Sequence, residues 1–320
     1  MIQTSGAADQ AIQVAVGVVV NSAGQILLTQ RAATVHQGGL WEFPGGKCAQ
    51  GESVCQTLHR ELHEELGILV RQHRPLIQIR HQYPELQVVL QVYRVTIWEG
   101  NPSGCEGQPV CWVDPQHLAE YPMPAANRPI IRAIQLPDQY VITPSALTDP
   151  WQLLYALDQM LDRGIRLVQL RVFDERSTMY AELVKSAAKA CRTMGADLML
   201  NVAVAEAQRL GVDGVHLNSQ RLWTYKARPS GLRWLAASCH SVVDLQQAAR
   251  IGVDFVVLSP VCATPSHPHA TILGWERFAE WVAVATMPVY ALGGMSLDQL
   301  PMAWQSGAQG IAGIRGLWSE

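Results

Sequence analysis

Residues 46–68 read GKCAQGESVCQTLHRELHEELGI, a glycine-rich turn followed by a helix-period stretch that gathers an arginine and three glutamates into RELHEE. In a helix from Glu52 to Leu66, Glu61, Glu64 and Glu65 stand at i, i+3 and i+4, so their carboxylates share one face, with Cβ atoms about 5–6 Å apart. Val54, Leu58, Leu62 and Leu66 form an adjacent apolar stripe that would seat this helix on a sheet. Carboxylates this close repel and weaken a bare helix. With divalent cations the same face becomes an oxygen-rich site suited to magnesium, or manganese, and to phosphate. Arg60 and Glu52 are expected to orient the ligands from behind. The turn FPGGK lets backbone approach a metal or phosphate, because glycine adopts conformations closed to other residues. Standing alone, RELHEE would more often be a solvated acidic helix face.

Around this helix, between Val14 and Trp112, lie the strand-like runs VAVGVVV, QILLTQR, PLIQIRHQYP, LQVVLQVYRVTIWEG and CWV, which predict a mixed sheet with the helix against it. After IQLPDQ the rhythm changes. From Tyr140, the short apolar runs YVITP, RLVQLRV, DLMLN, GVHL, WLAASC, FVVLSPV, PVYALGG and GIAGIRG alternate with helical stretches such as YAELVKSAAKACRTMG. Eight such units in about 180 residues predict a closed β/α barrel, with an open doubly wound sheet as the alternative, since parallel strands need helical crossovers. The proline and polar residues of LPDQ mark the linker, dividing the chain into domains 1–136 and 137–320.

A chain of 320 residues, 48% hydrophobic and 16% charged, is expected to be a soluble globular protein of two domains. Its formal charge of −3 gives no basic footprint for nucleic acid, so an anionic substrate must be attracted by local cations. Seven scattered cysteines with no CxxC pair fit cytoplasmic usage rather than a disulfide framework or a zinc site. The early apolar run AIQVAVGVVV has ten residues and no basic segment before it, which argues against a signal peptide or a membrane partner. Nothing in the pattern specifies an oligomeric state.

The stretch resembles, at every fixed position, the box of the Nudix hydrolases: Gly46, Glu52, Arg60, Glu61, Leu62, Glu64, Glu65, Gly67 and Ile68. The resemblance implies an α/β/α sandwich that hydrolyses a nucleoside diphosphate linked to another group, using a divalent metal and an attacking water. Over about residues 12–133 the chain is similar to the MutT branch, through AVGVVVNSAGQILLTQRAA, LWEFPGGK, WEGNPSGCEGQP and YPMPAANRPII. That branch converts 8-oxo-dGTP to the monophosphate and diphosphate, keeping oxidised guanine out of replication. Carried over by position, the Gly45 carbonyl, Glu61, Glu65 and Glu106 form the metal shell. Glu64 is a further ligand or an orienting carboxylate, and Glu106 or Glu61 activates the water. Asn127 reads the purine edge, while Phe43 and Arg31 contact base and substrate. An amide offers donor and acceptor together, and a site built around such bonds rejects a base that leaves them unpaired. Leu86 stands where the branch carries arginine, and Arg128 where it carries an acidic residue. Nudix enzymes that act on nucleotide sugars or other diphosphates share the box, so a different diphosphate, including a thiamine-related one, is the alternative substrate.

From Tyr140 to Trp318 the chain resembles the thiamine phosphate synthase barrel, through VQLR, LMLN, GVDGVHL, SCHSVVDLQQAARIGVDFVVLSPVCATPS and ALGGM. It departs from the family at the catalytic positions: Phe173 and His267 replace lysines, and Val202 and Arg221 replace the metal-binding aspartates. Loss of both carboxylates implies loss of synthase activity, because nothing remains to neutralise a departing diphosphate. What the resemblance leaves is a phosphate end at Gly293, Gly294 and Gly313 to Gly316, where a phosphorylated thiazole or thiamine-like ligand would sit, with Arg171, His240 and His267 around it. Related thiazole tautomerases move a proton with a histidine, a role open to His240 or His267, whereas His216 reads as a core residue. The barrel is accordingly expected to be a regulatory ligand module or a tautomerase.

Overall fold

The computed structural model describes residues 11–34, 37–82, 87–144, 149–171, 179–212, 214–264 and 270–318. They divide into two compact units, 1–135 and 136–320. The first unit contains β1 (Ile12–Val19), β2 (Ile26–Gln30), β3 (Trp41–Glu42), β4 (Gly45–Lys47), β5 (Leu69–Gln82), β6 (Gln87–Glu99) and β7 (Val110–Val113). The segment expected to form one mixed sheet forms two. A four-stranded sheet runs β4-β1-β6-β5, with β1 parallel to β6 and the other pairs antiparallel, and a separate antiparallel sheet runs β3-β2-β7. The split follows from the turn at Asn21–Gln25: a single bridge, Val20 to Ile26, joins β1 to β2 before β2 turns to pair with β7.

Helix α1 (Val54–Leu66) begins two residues after Glu52 because Ser53 caps it. The Ser53 hydroxyl accepts from the Gln56 N–H at 3.3 Å and the Gln56 side chain accepts from the Ser53 N–H at 2.9 Å, a reciprocal capping box. Leu58, Leu62 and Leu66 are fully buried against Ala15, Val19 and Val95, each contributing about 1.5–3 kcal/mol by leaving water. On the opposite face of the sheet, helix α2 (Arg128–Gln135) packs Ile130, Ile131, Ala133 and Ile134 with Val16, Val18, Ile77 and Ile79. Alternate residues of β1 therefore serve two cores, and the sheet is the middle layer of an α/β/α sandwich.

The second unit is a closed barrel of eight parallel strands: β8 (Gln139–Ile142), β9 (Leu167–Leu170), β10 (Asp197–Leu200), β11 (Gly214–Leu217), β12 (Trp234–Cys239), β13 (Phe255–Leu258), β14 (Val289–Leu292) and β15 (Gly310–Gly313). Seven lie within the apolar runs read from the sequence, and β8 begins one residue before its run, at Gln139. Closure comes from the pairing of β15 with β8, which leaves no edge strand. The strands are apolar on both faces. Tyr140, Met199, Trp234, Phe255 and Tyr290 fill the interior, while Val141, Leu200, Leu235 and Val256 pack beneath the surrounding helices. Among the described residues no helix is long and apolar enough to cross a membrane.

Polar groups inside the barrel form one ordered chain. Gln169 Nε2 donates to the Tyr140 hydroxyl at 2.8 Å, so the single phenolic proton goes to His216 Nδ1 at 3.1 Å, and His216 Nε2–H donates to Ser238 Oγ at 2.8 Å. Burial holds His216 down to about 3. Between pH ~6.5 and that value the unfolded chain binds a proton that the folded one refuses, so stability falls as pH drops, at about 1.4 kcal/mol per pH unit. Denaturant unfolding of the barrel transition between pH 7.5 and 4.5 is expected to show this loss, and His216→Gln should remove that part of the slope. An identical slope in the variant would mean that His216 is not the group responsible.

Candidate active site

The turn between β3 and β4 meets the second half of α1, and its two glycines make the approach possible. Gly45 adopts φ 144°, and a Cβ there would collide with the Ala15 carbonyl. A Cβ on Gly46 would occupy the space of the Glu61 carboxylate. Arg60 lies across the acidic face as a fork. Its Nε and Nη2 donate to the two oxygens of Glu52 at 2.9 and 3.0 Å, and its Nη1 to Glu61 at 2.8 Å and Glu64 at 2.9 Å. Glu52 also accepts from the Ala49 N–H at 3.0 Å and the Thr57 hydroxyl at 2.8 Å. The Arg60 bonds first, then those from Ala49 and Thr57, hold the Glu52 carboxyl down to about 2.

Glu65 has the opposite environment. Burial pushes its carboxyl up to about 8, with the neighbouring charges of Glu42, Glu61 and Glu106 adding to the effect against one bond from the Gly45 N–H at 3.1 Å. Glu106 reaches this cluster because its loop is tied to the end of α1. The Cys105 N–H and Gln108 Nε2 both donate to the Glu65 carbonyl at 2.9 Å, and the Gln108 Oε1 accepts from the Glu106 N–H at 2.9 Å. Gln108 and Glu42 are participants that the sequence reading missed. Glu42 sits in LWEFPGGK beside the residues singled out, but only the strand pairing of β3 with β2 shows which way it contributes.

Among the described residues no group of three or more His, Cys, Asp or Glu side chains is placed to hold a metal ion. The donors nevertheless fit a hard divalent cation in kind. They are all oxygen, and Glu65 carries an excess of neighbouring negative charge that a cation would relieve.

Of the expected substrate contacts, Arg31 pairs with Glu42 at 2.5 Å. Phe43 is 4% exposed and packs in the core with Val16 and Ile130, so its side chain has the packing role. Asn127 ends the short turn Ala125–Asn127 before α2 and is 7% exposed, and its side-chain amide makes no hydrogen bond among the described residues. Leu86 lies outside the described residues.

The barrel holds a separate cavity of about 620 Å³ at the carboxyl ends of its strands. Arg171, His240, Gly293 and Gly294 line it, as expected positions; His267 and Phe173 lie outside the described residues. His216, read from the sequence as core alone, also borders the cavity together with Gln169 and Ser238. His240 Nδ1 donates to the Ser259 carbonyl at 2.9 Å, which leaves Nε2 as the acceptor nitrogen of the neutral ring. Val202 is buried, and Arg221 donates through Nη1 to the Asn201 carbonyl at 3.0 Å and side-chain oxygen at 3.1 Å.

Comparison with known proteins divides along the same line. The family model described as "NUDIX domain" matches residues 15–133, and the one described as "Thiamine monophosphate synthase" matches residues 139–317. An 8-oxo-dGTP diphosphatase of Escherichia coli (strain K12) is 37% identical over 124 residues, 39% of this chain and 96% of the relative. A CTP pyrophosphohydrolase of the same strain is 35% identical over 118 residues, 37% of this chain and 87% of the relative. A protein named putative thiamine-phosphate synthase 2, of Aquifex aeolicus (strain VF5), is 32% identical over 182 residues, 57% of this chain and 97% of the relative. The chain thus belongs to two families, to the Nudix hydrolases acting on phosphorus anhydrides through its first unit and to the thiamine monophosphate synthases through its barrel.

Proposed function

We propose that the first unit cleaves 8-oxo-dGTP to 8-oxo-dGMP and diphosphate, and that the barrel has lost synthase chemistry. The observation that carries the base assignment is Asn127, a residue 7% exposed whose side-chain amide bonds to none of the described residues. A purine edge with complementary donor and acceptor would use both groups of that amide. The 37% identity to an 8-oxo-dGTP diphosphatase supports the same reading. A pyrophosphohydrolase of CTP has nearly the same identity, 35%, so the base preference is the part of the proposal that most needs measuring.

In this reading the carboxylates of Glu61, Glu64, Glu65 and Glu106 and the Gly45 carbonyl hold magnesium. Bound there, the ion supplies positive charge to phosphoryl oxygens. Glu61 or Glu106 takes a proton from water as the water oxygen bonds to phosphorus and the anhydride P–O bond breaks, the electron pair leaving on oxygen. Arg60, fixed by Glu52, keeps Glu61 and Glu64 on the reacting side of α1. Arg31, paired with Glu42, contributes the cation expected to face substrate. For the barrel, the anchored tautomer of His240 favours proton transfer in a phosphorylated thiazole as a second activity.

Steady-state hydrolysis of 8-oxo-dGTP, dGTP, CTP and ADP-ribose, with products resolved by ion exchange, tests the assignment. Glu61→Gln is expected to lower kcat by roughly 10²-fold or more, and unchanged turnover would remove the carboxylate mechanism. Asn127→Ala should cut the preference for 8-oxo-dGTP over dGTP by about tenfold or more while sparing dGTP turnover; an unchanged ratio would discard the base-reading role. Arg60→Lys, which cannot span Glu52 in two places, should cost about 10–100-fold in metal affinity. Solvent deuterium exchange into a phosphorylated thiazole, lost in His240→Ala, would establish the second activity, and its absence in the native protein would dismiss it.

A further inference from the structure

Asn127 is carried by a segment that belongs to neither sheet of the first unit, and its place depends on what that segment grips. In the small sheet, Trp41 of β3 stands opposite Gln30 of β2, Cys111 of β7 opposite Leu28, and Glu42 opposite Thr29. Directly opposed residues share a face, and successive residues of a strand alternate between faces. One face of this sheet therefore carries Glu42, which pairs with Arg31, and the other carries Leu28, Trp41 and Cys111.

Tyr121 closes on that second face. Its ring meets Trp41 edge to face, with centroids 5.5 Å apart and planes at 89°. The Trp41 N–H donates to the carbonyl of the next residue, Pro122, at 2.8 Å. From this clasp to Asn127 the chain is stiff. Pro122 and Pro124 fix their own φ and favour extended backbone at the residues before them, and Tyr121 indeed has φ −85° and ψ 129°. The Pro124 carbonyl then accepts from the Asn127 N–H at 2.9 Å, which closes the short turn ending in Asn127. On the far side Ile130 and Ile131 of α2 anchor the segment in the core, so the clasp sets the place of the turn without being its only attachment.

We infer that Tyr121 is a positioning residue for base recognition: clasped to Trp41, it fixes through the Pro122–Pro124 strut where the Asn127 amide stands relative to the sheet that carries Arg31 and Glu42. The inference rests on reading Asn127 as the amide that recognises the base. An amide that uses donor and acceptor together is sensitive to such placement, because both bonds weaken steeply once distance or angle leaves the normal range.

Steady-state kinetics of the full-length protein with magnesium, comparing kcat/KM for 8-oxo-dGTP and dGTP, test it. Tyr121→Ala is expected to lower that ratio about tenfold, through KM for 8-oxo-dGTP rather than kcat, and the double variant with Asn127→Ala should have the ratio of Asn127→Ala alone. Tyr121→Phe, which keeps the ring against Trp41, should keep the native ratio. Pro122→Gly, at an exposed position, loosens the strut and leaves the clasp in place. It should lower the ratio in the same direction, and it decides the matter if Tyr121→Ala does not fold. An unchanged ratio in both Tyr121→Ala and Pro122→Gly, or an equal loss for the two nucleotides, would make Tyr121 a structural residue only. If Asn127→Ala lowers the ratio and neither of these variants does, the inference alone falls. If the native protein has no preference for 8-oxo-dGTP, the base-reading proposal falls and the inference with it.

Discussion

The first unit is organised around a conflict of charge on one helix turn. Glu64 and Glu65 occupy the last turn of α1, where the partial negative charge of the helix end already disfavours acids, and Glu61 lies one turn before them on the same face. The helix survives because other terms are stronger. Three leucines seat it on the sheet, a capping box starts it, and Gly67 in the left-handed conformation ends it. Arg60 then spreads one positive charge over three carboxylates. Glu65 is the one left out of that arrangement, and burial first, then the charges of Glu42, Glu61 and Glu106, raise its carboxyl. The same stress that weakens the helix is what would make a divalent ion bind.

The turn geometry is subordinate to that cluster. Gly45 and Gly46 are needed less for bending than for space: one brings the turn against the backbone of β1 and the other clears the Glu61 carboxylate. The loop carrying Glu106 has no strand or helix of its own, and it is placed by bonds to the last carbonyls of α1, groups that every helix leaves unsatisfied. The end of the helix thereby supplies two carboxylates itself and docks the loop that supplies another.

How much of this the sequence disclosed depended on whether the signal was local. The RELHEE helix and the eight barrel strands were legible because 3.6-residue and short apolar periodicities record burial directly, as with Leu58, Leu62 and Leu66 or the run FVVL. The separation of β2 from the main sheet was not, because pairing partners far apart in the chain leave no periodic trace. Glu42 was hidden for the same reason, since an acid in a two-residue strand acquires meaning only from the helix it faces. Gln108 looks like any polar loop residue until its bonds to α1 are seen. His216 was read correctly as buried, but the sequence could not show that its hydrogen-bond chain ends at a cavity.

The candidate sites of the two units differ in their electrostatics. In the first, carboxylates are concentrated so that a metal can carry the positive charge, which places the phosphate chemistry under the control of metal occupancy. In the barrel, Val202 and Arg221 stand where the resemblance expects metal-binding aspartates; the Arg221 guanidinium bonds the Asn201 side-chain oxygen, and its backbone N–H, a bond open to any residue there, takes the Asn218 oxygen. With Val202 buried and apolar and Arg221 cationic at those positions, the proposed loss of synthase chemistry has a physical cause: neither side chain can hold a dication against a departing diphosphate.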